Sequence, residues 1–268
     1  MNRRQWETFY RWEWFRLEQW RHGFREERGG RWGGMPAALK RILEDTGGKL
    51  ALDAACGLGL RTIVMSEMGI DVVGSDGCAF AAEKARELSV LEGHQIEFFT
   101  SRWSELPSRT KLQFDAIFND GLAWVVTREE FERAIHGFLG ALRPGGVLVF
   151  VGAPEGSALS DSLNLLEEDW ESKPRFRIQW THTEGEVRCT SLLARDLRND
   201  YIDEHHLFLV EEGREQRLEA ATIRHPVYWH WSLLQEMFLQ AGFSSLETRE
   251  FPGMGQDGTD FTLNLATK

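Results

Sequence analysis

The feature that most constrains the fold of this chain is the segment Leu52–Leu60, which reads LDAACGLGL. It is a turn of small residues that follows a short apolar run. Asp53 stands where a buried strand would end, and Gly57 and Gly59 follow at once. Glycine lets backbone approach a ligand where a Cβ would collide. The dinucleotide-binding fingerprint needs a third glycine, but Thr62 holds that place. Because a carboxylate before the turn suits a cationic or hydroxyl-bearing partner, the turn predicts a ligand other than a pyrophosphate.

Strand and helix patterns alternate around this turn. Strands are predicted over Lys49–Asp53, Ile70–Asp76, Gln95–Phe99, Phe114–Phe118 and Val147–Val151, and helices after Pro36, over Leu60–Met68, over Phe80–Leu91 and along Phe131, Ile135, Phe138 and Leu142. Such alternation predicts an α/β fold, in which helices cover both faces of a parallel sheet.

The C-terminal part has a different pattern. Short strands separated by turn residues are predicted over Phe176–Thr183, Val187–Ala194, Tyr201–Val210 and Arg217–Arg224, and a helix over Ser232–Ala241 precedes two last strands, Ser245–Phe251 and Asp260–Ala266. The four strands predict an antiparallel β meander inserted after the fifth strand of the main sheet.

The N-terminal segment carries apolar residues at helical spacing. Trp6, Tyr10, Trp14, Leu17, Trp20 and Phe24 recur at intervals of three and four, which places them on one face of an amphipathic helix. The interleaved arginines admit a nucleic-acid surface, but glutamates nearly balance them. The other readings are a helix that packs against the main domain and one that also roofs the active site. We therefore predict a helical lid and hinge over residues 1–34, and a main domain over 35–268 with its antiparallel insertion at about 170–226.

Composition narrows the partners and the compartment. The net charge of −11 disfavours nucleic acid and anionic membranes, and no apolar run is long enough to cross a bilayer. The three cysteines show no metal-ligand spacing and no obvious pairing, which predicts a reducing, cytoplasmic environment and no metal site.

Two further segments accompany the glycine turn. Ile70–Asp76, IDVVGSD, is an apolar run that ends in an acid, and Leu142–Val151, LRPGGVLVFV, is a helix end, a Pro-Gly-Gly turn and a buried strand. An acid at the tip of the second strand is placed to bind both ribose hydroxyls of an adenosine, although capping the next helix is its structural alternative. This ordered set resembles the class I S-adenosylmethionine-dependent methyltransferases, and within them the glycine and sarcosine N-methyltransferases.

The resemblance implies a Rossmann-like seven-stranded sheet, with the last strand inserted antiparallel beside the fifth, and S-adenosylmethionine as the cofactor. It implies that the cofactor is bound by Arg31, Asp53, Ala55, Gly57, Gly59, Asp76, Gly77, Arg102, Trp103, Asn119 and Asp120. Core packing remains the alternative for Trp103, and a plain turn acid for Asp120. For Arg31, the alternative to cofactor binding is a solvent-exposed arginine in the glycine-rich hinge.

The predicted catalytic residues are Tyr10, Asp120, His225 and Tyr228. Asp120 is a candidate to receive a proton from an amine, and the junction around Pro226 is expected to overhang the carboxyl ends of the strands, where open α/β sheets bind ligands. His205 and His206 face opposite sides of a strand, so they make a poor metal chelate.

These observations predict a methyltransferase that moves a methyl group to a small molecule, most simply to an amine nitrogen, by in-line displacement. An O-methyltransferase, a noncatalytic S-adenosylmethionine-binding protein and a dinucleotide oxidoreductase are the rivals. One departure weakens a glycine acceptor: the stretch Gly152–Gly156 after the fifth strand has no cation, so a substrate carboxylate would need Arg177, Arg188 or Arg195. The sequence leaves a homo-oligomer open.

Overall fold

The structure, a computed structural model, describes residues 3–17, 34–125, 127–198, 201–226, 229–254 and 260–268. Its helices are α1 Arg3–Phe15, α2 Gly34–Thr46, α3 Leu60–Glu67, α4 Ala79–Leu91, α5 Leu106–Arg109, α6 Arg128–Ala141, α7 Leu159–Ser172 and α8 Trp231–Ala241. Its strands are β1 Leu50–Asp53, β2 Asp71–Asp76, β3 Phe98–Thr100, β4 Phe114–Asn119, β5 Leu142–Phe150, β6 Phe176–Glu184, β7 Val187–Leu197, β8 Tyr201–Glu212, β9 Glu215–Pro226, β10 Ser245–Phe251 and β11 Phe261–Thr267.

The main sheet has the order β10-β11-β5-β4-β1-β2-β3. The pairs from β5 through β3 are parallel, whereas β11 runs antiparallel to both β5 and β10. The predicted seven-stranded sheet, with its last strand beside the fifth, is therefore confirmed. β1 lies between β4 and β2, so the connections run away from it in both directions and open a crevice at its carboxyl end.

Large apolar side chains bury both faces of this sheet. Helices α6 and α8 cover one face, where Phe131, Phe138 and Phe238 pack with Phe150. Helix α2 covers the other face through Leu39 and Ile42. Three members of the predicted stripe, Phe131, Ile135 and Phe138, are buried on α6, whereas Leu142 is buried as the first residue of β5, because the helix ends at Ala141.

The second sheet is the predicted antiparallel meander, with the order β6-β7-β8-β9. Its strands alternate as expected for a sheet with one covered face: Phe208 and Val210 are buried, whereas Leu209 is 37% exposed. The preceding helix α7 was missed by the sequence analysis, and of its residues only Leu166 is buried.

Helix α1 joins the two sheets. Trp12 donates from Nε1 to Glu219 of β9 at 3.0 Å and packs on the buried side of the meander with Trp180 and Phe208. Leu17, just past the helix, packs against α3. Trp20, Phe24 and the hinge before Gly34 lie outside the described residues. The division of the chain at residue 34 stays a prediction.

The described helices include none long and apolar enough to cross a membrane. Cys56, Cys78 and Cys189 are buried free thiols.

Candidate active site

The glycine turn after β1 forms the floor of the crevice. Gly57 and Gly59 have φ angles of 52° and 84°, in the region that favours glycine. A Cβ on Gly59 would lie 2.9 Å from the Ala85 Cβ, and one on Gly57 would lie 3.3 Å from the Tyr10 ring. Both glycines are therefore required by the close approach of backbone to its neighbours.

Asp76 ends β2 next to this turn. Its carboxylate accepts hydrogen bonds from the amide of Cys78 at 2.8 Å and from the amide of Gly57 at 3.0 Å, and the Tyr10 hydroxyl also bonds to it. Burial raises the pKa of Asp76 to about 6, although these bonds oppose the shift. The two backbone bonds fix both carboxylate oxygens at the floor of the crevice, beside the glycine turn.

Asp53 and Asn119 leave polar atoms without partners. Asp53 accepts a bond from the Thr62 hydroxyl at 2.7 Å through Oδ2, but Oδ1 has no hydrogen bond. Burial raises the pKa of Asp53 to about 6, which nearby Arg61 partly counters. Neither amide atom of the fully buried Asn119 has a partner. Such groups are costly unless something bonds to them, so the site fits a polar ligand such as S-adenosylmethionine.

Asp120 and Arg61 form an ion pair across the crevice. Asp120 follows β4, as the sequence predicts, whereas Arg61 lies in the first turn of α3 and was not singled out. The available signal was an arginine two residues after Gly59, but sequence spacing alone did not show that it turns toward the end of β4.

The remaining predicted cofactor residues lie around the same loops. Trp103 donates from Nε1 to the Ala54 carbonyl at 2.6 Å, and its ring lies beside Gly121 and Phe138. Ala55 faces Gly121 from the other loop. Two further predicted residues, Gly77 and the exposed Arg102, lie near the end of β3. A Cβ on Gly77 would lie 3.9 Å from the Ser101 carbonyl oxygen. Arg31 lies outside the described residues.

A cavity of about 400 Å³ lies between the carboxyl end of β5, helix α7 and the meander. Its lining includes Phe150, Trp229, Arg195, Glu204 and His225. It adjoins the crevice, because Phe150 is the β5 partner of Asn119 and Ala123 of the next loop also lines it.

The strand register brings the polar cavity residues together. Arg195 lies opposite Glu204 in the β7–β8 ladder, and Glu204 is diagonal to His225 across β8 and β9. His225 Nε2 lies 3.2 Å from Glu204 Oε2, and Arg195 Nε lies 3.4 Å from Oε1. These partners hold the pKa of Glu204 below its ordinary value in spite of burial. The sequence analysis did not identify Glu204 as a site residue, because the local sequence does not show which residues of the neighbouring strands lie beside it.

Aromatic rings connect the cavity with helix α1. The ring centroids of Trp6 and Trp124 are 6.5 Å apart and those of Trp124 and His225 are 5.8 Å apart. Tyr10 stacks on Trp6 and reaches Asp76. Burial, and then Asp76, raises the pKa of Tyr10 well above its ordinary value, so this phenol keeps its proton. Tyr228 lies outside the described residues.

Comparison with known proteins agrees with this geometry. Residues 51–146, which include both acids, the glycine turn and Asp120, match a family described as a methyltransferase domain. Residues 51–146 are therefore similar to a methyltransferase domain. This match agrees with the predicted class of enzyme, a methyltransferase that uses S-adenosylmethionine.

The curated relatives match part of the chain. A glycine/sarcosine N-methyltransferase of Halorhodospira halochloris is 30% identical over 109 residues, which are 40% of this chain and 41% of that protein. The chain therefore matches about two fifths of the length of the curated relatives.

Solved structures of low sequence identity share the fold of the chain. A sugar N-methyltransferase from a Streptoalloteichus species has a TM-score of 0.64 at 15% identity and covers 91% of both chains. An amino pentose methyltransferase from Micromonospora echinaspora, solved with S-adenosylmethionine, has a TM-score of 0.57 at 17% identity, covering 92% of this chain and 95% of its own.

Removing the Asp76 carboxylate tests its predicted role toward ribose. We expect Asp76→Ala to weaken the binding of S-adenosylhomocysteine by roughly 1–3 kcal/mol, because the ribose hydroxyls that donate to this carboxylate would lose their acceptor. Calorimetric titration measures this loss. Asp71→Ala, at the exposed opposite end of the same strand, is the control and should bind like the wild type. Equal affinities for the two variants would refute the ribose assignment.

The same titration should depend on pH. Because the folded pKa of Asp76 is raised to about 6, the carboxylate takes up a proton as the pH falls through that value. A protonated carboxyl accepts fewer hydrogen bonds, so affinity for S-adenosylhomocysteine should decrease below about pH 6 and level off above it. An affinity that stays the same from pH 5 to pH 8 would contradict this prediction.

Proposed function

We propose that this protein uses S-adenosylmethionine to methylate an amine nitrogen of a small molecule. The observation that carries the proposal is the cavity beside the donor crevice, which contains the His225–Glu204 pair. The curated relatives are named glycine/sarcosine N-methyltransferases, and one of the solved structures is named a sugar N-methyltransferase. These names support a nitrogen acceptor.

The residues of the crevice suit the binding of the donor. Asp76 offers acceptors for ribose hydroxyls, and Asp53 has a buried oxygen that has no hydrogen bond in the structure. When bound, S-adenosylmethionine supplies a methyl group on a positively charged sulfur, which leaves as a neutral thioether. The protein has to hold donor and acceptor close, aligned and dry, which accounts for much of the rate in such displacements.

The cavity residues suit the preparation of an amine. An ammonium has no free electron pair, so a proton has to leave before nitrogen attacks the methyl carbon. His225 takes this proton in our proposal, and Glu204 orients the imidazole through its contact with Nε2. The T-shaped contact of His225 with Trp124 holds the ring from the other side.

The apolar lining favours an acceptor of moderate size. Phe131, Phe150, Leu166, Ile202 and Trp229 surround the polar group, and a cavity of about 400 Å³ is within the usual range for small-molecule sites. An acceptor of this kind agrees with the net charge of −11, which opposes nucleic acid. The buried free thiols suit the cytoplasm.

Transfer of an isotope-labelled methyl group tests the proposal. The full chain is incubated with labelled S-adenosylmethionine and panels of small amines, amino sugars, amino acids, phenols and carboxylic acids, and products are identified by mass spectrometry. We expect label on nitrogen. Label on oxygen only would establish an O-methyltransferase instead, and cofactor binding with no transfer to any panel or metabolite extract would favour a noncatalytic binding protein.

A further inference from the structure

Arg195 of β7 lines the acceptor cavity, and two acids surround its guanidinium. Its side chain is only 2% exposed. Nη1 donates to the main-chain carbonyl of Asp169 at 3.1 Å, and Nη2 donates to the carboxylate of the same residue. Nε lies 3.4 Å from Oε1 of Glu204. Each guanidinium nitrogen therefore has an acidic residue beside it, and two carboxylates share the charge of one buried arginine.

In the described part of the chain, the charged residues that line the cavity leave no cation without an acidic partner. Lys173 is the second cation of the lining, and its Nζ pairs with the Asp169 carboxylate that also binds Arg195. The other two arginines that the sequence offered for a substrate carboxylate, Arg177 and Arg188, are exposed and lie outside the cavity lining. The two cations of the cavity are thus matched by two acids.

We propose that this network selects an acceptor amine without a carboxylate, such as an amino alcohol or an amino sugar. The inference rests on the proposed function, because it concerns the amine that occupies the same cavity. Arg195 is then a specificity-determining residue that neutralises Asp169 and Glu204 and does not bind the substrate. A carboxylated acceptor would have to displace Asp169 from Arg195, whereas an amine or a hydroxyl group needs no such exchange.

The electrostatics of the cavity support this selection. Burial raises the pKa of Asp169, but Lys173 and Arg195 together hold it below its ordinary value, so this carboxylate stays charged. A substrate carboxylate would therefore add a third negative charge around one arginine, and a nearby like charge disfavours an anion in a partly buried site. An ammonium is instead attracted to Glu204, which lies next to His225, the proton acceptor of the proposed reaction.

Pairs of acceptors that differ in one group test this selection on the full chain. Glucosamine carries a hydroxymethyl group where glucosaminuronic acid carries a carboxylate, and ethanolamine and glycine form a smaller pair. The same comparison is made for any other amine that accepts the labelled methyl group and its carboxylated analogue. We expect kcat/KM to be about 100-fold higher for the member without the carboxylate, because a like charge opposes the other member.

Equal or better use of the carboxylated members would overturn the inference and leave the proposed function standing. Transfer to no amine at all would contradict the proposed function itself, so the two failures are distinguishable.

Neutralising Asp169 gives a second measurement. Asp169→Asn keeps the size of the side chain but removes its charge, so Arg195 becomes available to a substrate carboxylate. We expect the preference between the two members of a pair to fall by about tenfold, through a lower KM for the carboxylated member, which is the usual effect of one charge-assisted hydrogen bond. A merely structural role of Asp169 would change both members alike.

A neighbouring acid on the same helix supplies the control. Glu167 is exposed, lies two residues before Asp169 on α7 and is not part of the cavity lining, so Glu167→Gln should keep the wild-type preference. Thermal unfolding shows whether each variant is folded, and the wild-type comparison stands on its own if one is not. A folded Asp169→Asn variant with the preference of the wild type would also overturn the inference.

Discussion

Replacement of His225 by phenylalanine is expected to slow methyl transfer to the amine by about 10²- to 10⁴-fold, the usual contribution of a positioned proton acceptor. Phenylalanine keeps a ring against Trp124 but has no nitrogen to take a proton. The affinity for S-adenosylhomocysteine should stay that of the wild type, because His225 lines the acceptor cavity and not the donor crevice. Steady-state kinetics and calorimetry together measure both effects.

The neighbouring histidine provides a matched control for this substitution. His205 lies in the adjacent strand and bonds to Thr222 at 2.9 Å, outside the residues that line the cavity. His205→Phe should therefore retain nearly full activity. Glu204→Gln should reduce activity less than His225→Phe does, since the imidazole remains but loses its charged partner. Full activity of His225→Phe would eliminate the proton-transfer role.

Removal of the aromatic contact between helix α1 and the cavity is expected to have the second largest effect. Trp6 lies beside Trp124, which in turn contacts His225. An aromatic face stabilises a positive charge by about 0.5–2 kcal/mol per contact, and an amine gains positive charge as it is methylated. We expect deletion of residues 1–28 to reduce methyl transfer by about 100-fold or more, with a much smaller change in affinity for S-adenosylhomocysteine.

A single substitution keeps this test independent of folding. The deletion uncovers the apolar face that Trp12 buries on the meander, so it also affects stability. Trp6→Ala leaves Trp12 in place and should still lower the turnover number by about tenfold, by loss of the aromatic contact. Trp14→Ala is the control, because Trp14 packs near Lys84 of α4, away from Trp124. Equal activities of the two variants would contradict a role for α1 in the acceptor site.

Local patterns predicted most of the fold. The glycine turn, the acid at the end of β2 and the alternation of strands with helices depend on contacts between residues close in sequence, so their periodicity is visible in the chain itself. The meander was predicted for the same reason, since each of its strands pairs with the next along the chain. Helix α7 was not predicted, although its residues are amphipathic at helical spacing; it buries only Leu166.

The sequence by itself determined the α/β architecture, the antiparallel insertion, and the two acids and two glycines at the floor of the donor crevice. Only the tertiary structure decided which side chains meet there: Arg61 with Asp120, and Glu204 with Arg195 and His225. The physical reason is that these contacts depend on the direction of a side chain and on strand register. A shift of one residue turns every side chain of a strand to the opposite face, and the packing of the whole sheet fixes that register.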